Sequence, residues 1–154
     1  MEIRKIESES LCTEISTKIL SGLSKWFGIP ESTAEYIKES GKMPFWAAYD
    51  DEKVIGFIAL KKTSEYTSEI YVMGIYEDYH RKGVGKVLFQ GCHNYCRENR
   101  IEFLQVKTLD ESSSDKNYAK TREFYKAMGF RELECFPELW GEHNPCLVMV
   151  MHIS

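Results

Sequence analysis

Residues 69–88 read EIYVMGIYEDYHRKGVGKVL. The first part is apolar, aromatic and β-branched, the composition of a strand. From Val84 onward the apolar residues Val87, Leu88, Cys92, Tyr95 and Cys96 recur three to four apart, which predicts an amphipathic helix from Gly83 to about Asn99. Between the two lie Tyr79, His80, Arg81 and Lys82, and then Gly83 and Gly85 with Val84 between them. Glycine costs a helix interior roughly 1 kcal/mol against alanine, so two glycines at a helix start need a reason. The first turn of a helix carries four amide N–H groups without intrahelical partners, at the positive end of its dipole. Glycine lets an anion approach such amides closely and permits a positive φ. With the basic side chains around it, the turn reads as a pyrophosphate cradle built on the amides of Arg81 to Lys86. Leu88 stands where a dinucleotide fingerprint needs its third glycine, and no GxxxxGK[ST] motif is present.

The strand that feeds this turn is predicted over Thr67–Tyr76. Strict alternation puts Glu69, Tyr71, Met73 and Ile75 on one face and Ile70, Val72 and Gly74 on the other. Before it, PFWAAYDDEKVIGFIAL predicts a hairpin, Phe45–Tyr49 and Lys53–Lys61, turning at Asp50–Asp51–Glu52. Further upstream, Glu2–Ile6 is a short strand and residues 10–23 a helix. A second helix starts at Pro30 and ends at Gly41. Downstream, Glu102–Lys107 is a strand and DESSSDKN a polar loop. Tyr118–Met128 is a helix closed by Gly129. Phe130–Phe136 and Cys146–Ile153 are the last strands, joined by a connection holding Pro137, Trp140 and Pro145.

The strand–helix–strand crossover over 67–107 forces one parallel pairing on an otherwise antiparallel set. The expected fold is therefore a mixed α/β (α+β) sheet, mostly antiparallel, with helices on both faces. The chain reads as a single domain over 1–154, long enough to bury a real core.

Composition narrows the function. A net charge of −4 argues against general nucleic-acid binding, which calls for a basic face. No apolar run approaches the ~18 residues of a membrane span, and MEIRKIESES has no signal-peptide character; the expected location is cytoplasmic. The five cysteines form no CxxC pair and no metal-ligand cluster, so buried reduced thiols and no metal site are expected.

Two segments carry a resemblance. EIYVMGIYEDYHRKGVGKVL resembles the acetyl-CoA signature of the GNAT superfamily of N-acetyltransferases: a strand, a short turn, then Q/R-x-x-G-x-G/A at a helix start, here His80-Arg81-Lys82-Gly83-Val84-Gly85. His80 replaces the more usual Gln or Arg. YAKTREFYKAMGF, residues 118–130, resembles the second family segment, ending in Y-x-x-x-G-F; Tyr118 stands where many members have Asn, with Asn117 adjacent.

The resemblance implies a GNAT fold of six to seven strands whose central strands splay apart. It implies acetyl-CoA as the cosubstrate, without a metal. The pantetheine arm would lie along the backbone of Met73, Gly74 and Ile75, and the pyrophosphate on His80, Arg81, Lys82, Gly83, Val84, Gly85 and Lys86. Asn117, Tyr118 and Phe124 would complete the cofactor site from the second segment. The activity implied is direct attack of a primary amine on the thioester, both substrates being bound together. Alkyl amines titrate near ~10, so a base must take a proton. Glu69, expected on the same side of its strand as Met73, is the candidate. Tyr125, in the family's tyrosine position, is the candidate acid toward the departing thiolate. The short chain favours a small-molecule amine over a peptide or protein amine; a non-catalytic acyl-CoA sensor would need neither Glu69 nor Tyr125. Homodimers are frequent in the family. Acceptor choice falls to Trp26, Phe27 and Glu31, to Tyr66, and to Trp140.

Overall fold

A computed structural model describes residues Met1–Ser154. One sheet of seven strands runs in the order β1-β2-β3-β4-β5-β7-β6. Its strands are β1 (Glu2–Lys5), β2 (Phe45–Asp50), β3 (Lys53–Lys62), β4 (Thr67–Ile75), β5 (Phe103–Leu109), β6 (Arg131–Phe136) and β7 (Cys146–His152). The helices are α1 (Glu9–Ser21), α2 (Pro30–Ser40), α3 (Val84–Glu98) and α4 (Lys116–Met128). A short 3₁₀ turn, Glu77–Tyr79, follows β4 and was not legible as periodicity.

Local chemistry sets these boundaries. The Ser8 hydroxyl accepts from the Leu11 amide at 3.2 Å and starts α1 one residue earlier than its apolar period. Pro30 occupies the first turn of α2. The Asp115 carboxylate accepts from the Asn117 amide at 3.0 Å, so α4 begins before Tyr118. Gly129, at φ 109°, ends α4 in the left-handed conformation.

Two cores hold the layers. On one face, Val84, Leu88, Phe89, Cys92 and Cys96 of α3, with Tyr125 of α4, pack on Ile58, Leu60, Ile70, Leu104, Val106 and Met149. On the other, Cys12, Ile15, Ile19, Leu20 and Leu23 pack on Phe45, Ala47, Phe57, Ala59 and Val72, with Tyr36 and Ile37 of α2 at the margin. Each large side chain so buried contributes about 1.5–3 kcal/mol.

The expected alternation along β4 fails at one place. Leu60 pairs with Ile70 and Ala59 with Val72, leaving Tyr71 as an extra residue. This bulge reverses the faces. Ile70 shares the α3 face with Met73 and Ile75, while Val72 and Gly74 face α1. A bulge has no sequence period, so regular alternation misassigned the start of the strand.

The central pair is the parallel one. It runs from Thr67↔Phe103 to Ile70↔Val106 and stops, although β4 continues to Ile75 and β5 to Leu109. Past that point the strands diverge, and the edge of β4 facing β5 loses its strand partner.

Candidate active site

The divergence opens a cleft between the two strands. Met73, Gly74 and Ile75 of β4 form one wall, and Val106, Lys107 and Thr108 of β5 another. Tyr118, Thr121 and Tyr125 of α4 close one end; Trp26 and Phe27, from the connection between α1 and α2, overhang it. His80 also lines it. An extended ligand entering here would meet a strand edge free to pair with it.

At the mouth, the chain turns from β4 into α3. Arg81 (φ 63°) and Gly83 (φ 83°) both take left-handed backbone conformations. Such turns aim successive N–H groups toward one anion. The first backbone bond of α3 runs from the Val87 amide to the Gly83 carbonyl, and the six amides from Arg81 to Lys86 donate to no acceptor in the protein. Arg81, Lys82 and Lys86 are exposed and take part in no ion pair. Six free donors flanked by three free cations fit a pyrophosphate.

The two glycines differ in what surrounds them. A Cβ on Gly83 would meet nothing within 4 Å, so this position is open to a ligand and glycine answers its positive φ. A Cβ on Gly85 would lie 2.9 Å from Phe124 Cε1, 3.0 Å from Phe124 Cζ and 3.3 Å from Ile75 Cδ1. Gly85 is small so that α3 can lie against α4. Phe124, expected at the cofactor, uses its ring for this packing and does not line the cleft.

His80 serves the turn as well. Its Nε2–H donates to the Ile75 carbonyl at 2.7 Å, folding the imidazole back onto the end of β4. Its ring meets Trp26 edge-on at 5.4 Å. Trp26 is pinned further: its Nε1–H donates to the Asn117 carbonyl at 3.3 Å, and the Tyr118 hydroxyl donates to the Trp26 carbonyl at 2.6 Å. Tyr118 thus ties the α1–α2 connection to the start of α4. Asn117 takes part through its main chain; its side chain has no protein partner and lies outside the cleft lining.

Tyr125 is 6% exposed, braced edge-on by Phe124 and Phe130 at 5.4 and 5.5 Å. It lines the cleft, and its hydroxyl has no protein hydrogen-bond partner. Burial, followed by the neighbouring Tyr118 and Tyr36 phenols, pushes its pKa far above the ordinary tyrosine value. It is protonated across any physiological pH and free to donate. Tyr118 is likewise pushed up, to about 12, chiefly by burial.

Glu69 is not on the side of Met73, because the Tyr71 bulge lies between them. It pairs with Lys61 across the sheet, accepts from Gln105 Nε2 at 2.7 Å and forms an ion pair with Lys107 Nζ at 3.1 Å. It is buried and does not itself line the cleft; it touches the lining at Lys107, and, secondary to burial, its charge also raises the lining phenols Tyr36 and Tyr71.

Two features escaped the sequence. The Thr108 hydroxyl is the one buried side-chain polar atom without a hydrogen-bond partner. The buried Arg122 guanidinium donates to the Leu109 carbonyl at 2.7 Å, holding the end of β5. Arg122 falls on the α4 stripe between Tyr118 and Tyr125, at i+4 and i+7, and that spacing was its available signal.

Three of the five thiols are held protonated by burial. Cys92 and Cys96 are fully buried on α3, and burial raises Cys92 well above its usual value and Cys96 to about 11. Cys146 also rises to about 11, again mainly through burial. A thiol at such a pKa is not a thiolate at neutral pH. No group of three His, Cys, Asp or Glu side chains is arranged to hold a metal ion, and no helix is long and apolar enough to cross a membrane.

The architecture has close counterparts among solved structures. A GNAT-family chain from Desulfovibrio desulfuricans superposes with a TM-score of 0.82 at 16% identity, covering 99% of each chain. An aminoglycoside 6'-N-acetyltransferase complexed with coenzyme A gives 0.78 at 17% identity, over 100% of this chain and 98% of that one. The ribosomal-protein-S18-alanine N-acetyltransferase from Escherichia coli gives 0.76 at 16% identity, over 99% and 94%. No curated protein matches by sequence. A family model for the acetyltransferase (GNAT) domain matches residues 20–151. With a splayed parallel pair, a free-amide turn at the head of α3 and that match over most of its length, the chain belongs to the GNAT acetyltransferase family.

Proposed function

We propose that the chain uses acetyl-CoA to acetylate a primary amine of a small molecule, with donor and acceptor bound together in the β4–β5 cleft. The observation that carries this reading is the run of six unpartnered amides from Arg81 to Lys86, at the mouth of a cleft whose far wall holds the unpartnered hydroxyl of Tyr125. Acetyl-CoA, when bound, supplies an activated acyl group. The residues supply everything else. The Arg81–Lys86 amides, with Arg81, Lys82 and Lys86, hold the two phosphates. The free edge of β4 at Met73–Ile75 aligns the extended arm. Backbone donors at that edge are suited to developing charge on the acyl oxygen.

Tyr125 donates a hydrogen bond to the sulfur as negative charge develops there. Its raised pKa makes it a weaker acid than free tyrosine but keeps its proton in place. The acceptor must shed a proton, and Glu69 is the base in this reading, acting through water past Lys107, since it has no direct opening to the cleft.

The test combines binding and turnover. Acetyl-CoA is expected to raise the melting temperature, and thiol release should follow addition of an amine. Tyr125→Phe should lower kcat about 10²-fold, the low end of the general-acid range, with the affinity for acetyl-CoA unchanged. An unchanged kcat refutes the acid role. No thermal shift with any acyl-CoA refutes the donor. Binding without turnover on any amine leaves a sensor.

A further inference from the structure

The acceptor side of the cleft has a chemistry of its own. A second cavity adjoins the first, and both are lined by Trp26, Phe27, Tyr36, Tyr118 and Trp140. Neither lining contains an aspartate or a glutamate. The one lysine or arginine present is Lys107, a cation, whose charge is already met by Glu69.

The walls are preformed. Tyr36 is held edge-on between Phe27 (5.9 Å, 88°) and Tyr71 (5.2 Å, 67°). Trp26 is fixed by its two hydrogen bonds to the start of α4 and by His80. Rigid aromatic walls bind apolar and aryl groups by area and by edge-to-face contact, with little ordering cost.

Charge decides between acceptor classes. Aromatic faces attract a single cation. Any further ammonium would be desolvated among linings that carry no carboxylate of their own, since the buried Glu69 nearby is already engaged by Gln105 and Lys107. The one ammonium that enters is also the one that must lose its proton, and desolvation favours that loss.

Resting on the acetyl-transfer reading above, we infer that the acceptor is a monoamine carried on an apolar, aryl-sized body, and not a polycation such as an aminoglycoside or polyamine. The amine would sit where the two cavities join, with the aryl body against Phe27, Tyr36 and Trp140.

The experiment is steady-state thiol release by the full chain at saturating acetyl-CoA. Its acceptors are 2-phenylethylamine and tryptamine, against kanamycin, spermidine and ethanolamine. The aryl monoamines are expected to exceed each of the others in kcat/KM by at least about tenfold, the factor that a difference near 1.4 kcal/mol supplies. Trp140→Ala provides a second reading; this residue is 37% exposed, so its truncation leaves the core intact. It should raise the KM for the aryl amine about fivefold or more, with the KM for acetyl-CoA unchanged. Equal or better use of kanamycin or spermidine overturns the inference and leaves the acetyl-transfer reading standing. So does failure of both aryl amines while acetyl-CoA still shifts the melting temperature. Absence of that shift removes the donor reading, and the inference with it.

Discussion

Replacing Gly85 by alanine sets two opposing terms against each other in one methyl group. Gly85 lies in the first turn of α3, outside the positive-φ residues, so alanine meets no backbone penalty there. It should gain up to about 1 kcal/mol of helix propensity. Against this, the new Cβ would stand 2.9 and 3.0 Å from two ring carbons of Phe124, and 3.3 Å from Ile75 Cδ1. The half-buried Phe124 ring packs edge-on against Tyr125 at 5.4 Å, and moving it away would give up that contact. Overpacking of this kind costs about 1–3 kcal/mol. The net expectation is a loss of about 1 kcal/mol in urea unfolding, read as a lower midpoint at constant m. The sign should reverse in a Phe124→Ala background, where the contact is gone and the helix term remains. The two positions should therefore couple by about 1–2 kcal/mol, within the range for residues in contact. If Gly85→Ala alone stabilises the protein, or if the coupling is absent, close packing of α3 on α4 is not what glycine serves there.

Gly83 should respond differently. Its side-chain space is open, and Asp or Asn tolerates the left-handed region better than most residues. Gly83→Asp should weaken acetyl-CoA binding by more than about tenfold, and Gly83→Asn by less, as measured by calorimetry; equal losses would exclude a charge effect. Thr108→Val removes the buried hydroxyl that has no partner and suits a strand, so it should stabilise by about 1 kcal/mol; a lower melting temperature would show that the hydroxyl has a partner in solution. Alkaline pH should unfold the protein. The native-state pKa values of Tyr71 and Tyr118 are raised from 10 to about 12, mainly by burial, so their stabilisation is complete below pH 10. Above it the unfolded chain ionises first, and stability falls until the native pKa is reached, by up to about 1.4 kcal/mol per pH unit from the buried Tyr118 and by less from Tyr71, whose phenol is screened by solvent. Urea midpoints that stay flat from pH 9 to 12 would contradict this.

Much of the molecule was legible along the chain because its signals are local. Apolar spacing marks α3, alternation marks the β2–β3 hairpin, and the glycine turn announces a helix start with unused amides. Those amides are a consequence of geometry that any helix obeys, so a run of unpartnered donors could be read from ten residues. The Tyr71 bulge, by contrast, depends on how Leu60 and Ala59 pair across the sheet, and it moved Glu69 to the opposite face from Met73. Gly85 and Gly83 look alike in sequence; only the approach of Phe124, 39 positions later, separates a packed glycine from one whose side-chain space is open. The aromatic walls of the two cavities come from the α1–α2 connection, α2, α4 and the loop before β7, joined by hydrogen bonds such as Tyr118 to Trp26 across 92 positions. By itself, the sequence determined the elements, the family's motifs and the anion turn, since these rest on periods and neighbours within a few residues. Which residues share a face, and which aromatic side chains line the two cavities, came only with the folded chain, since both depend on contacts between segments that no local period encodes.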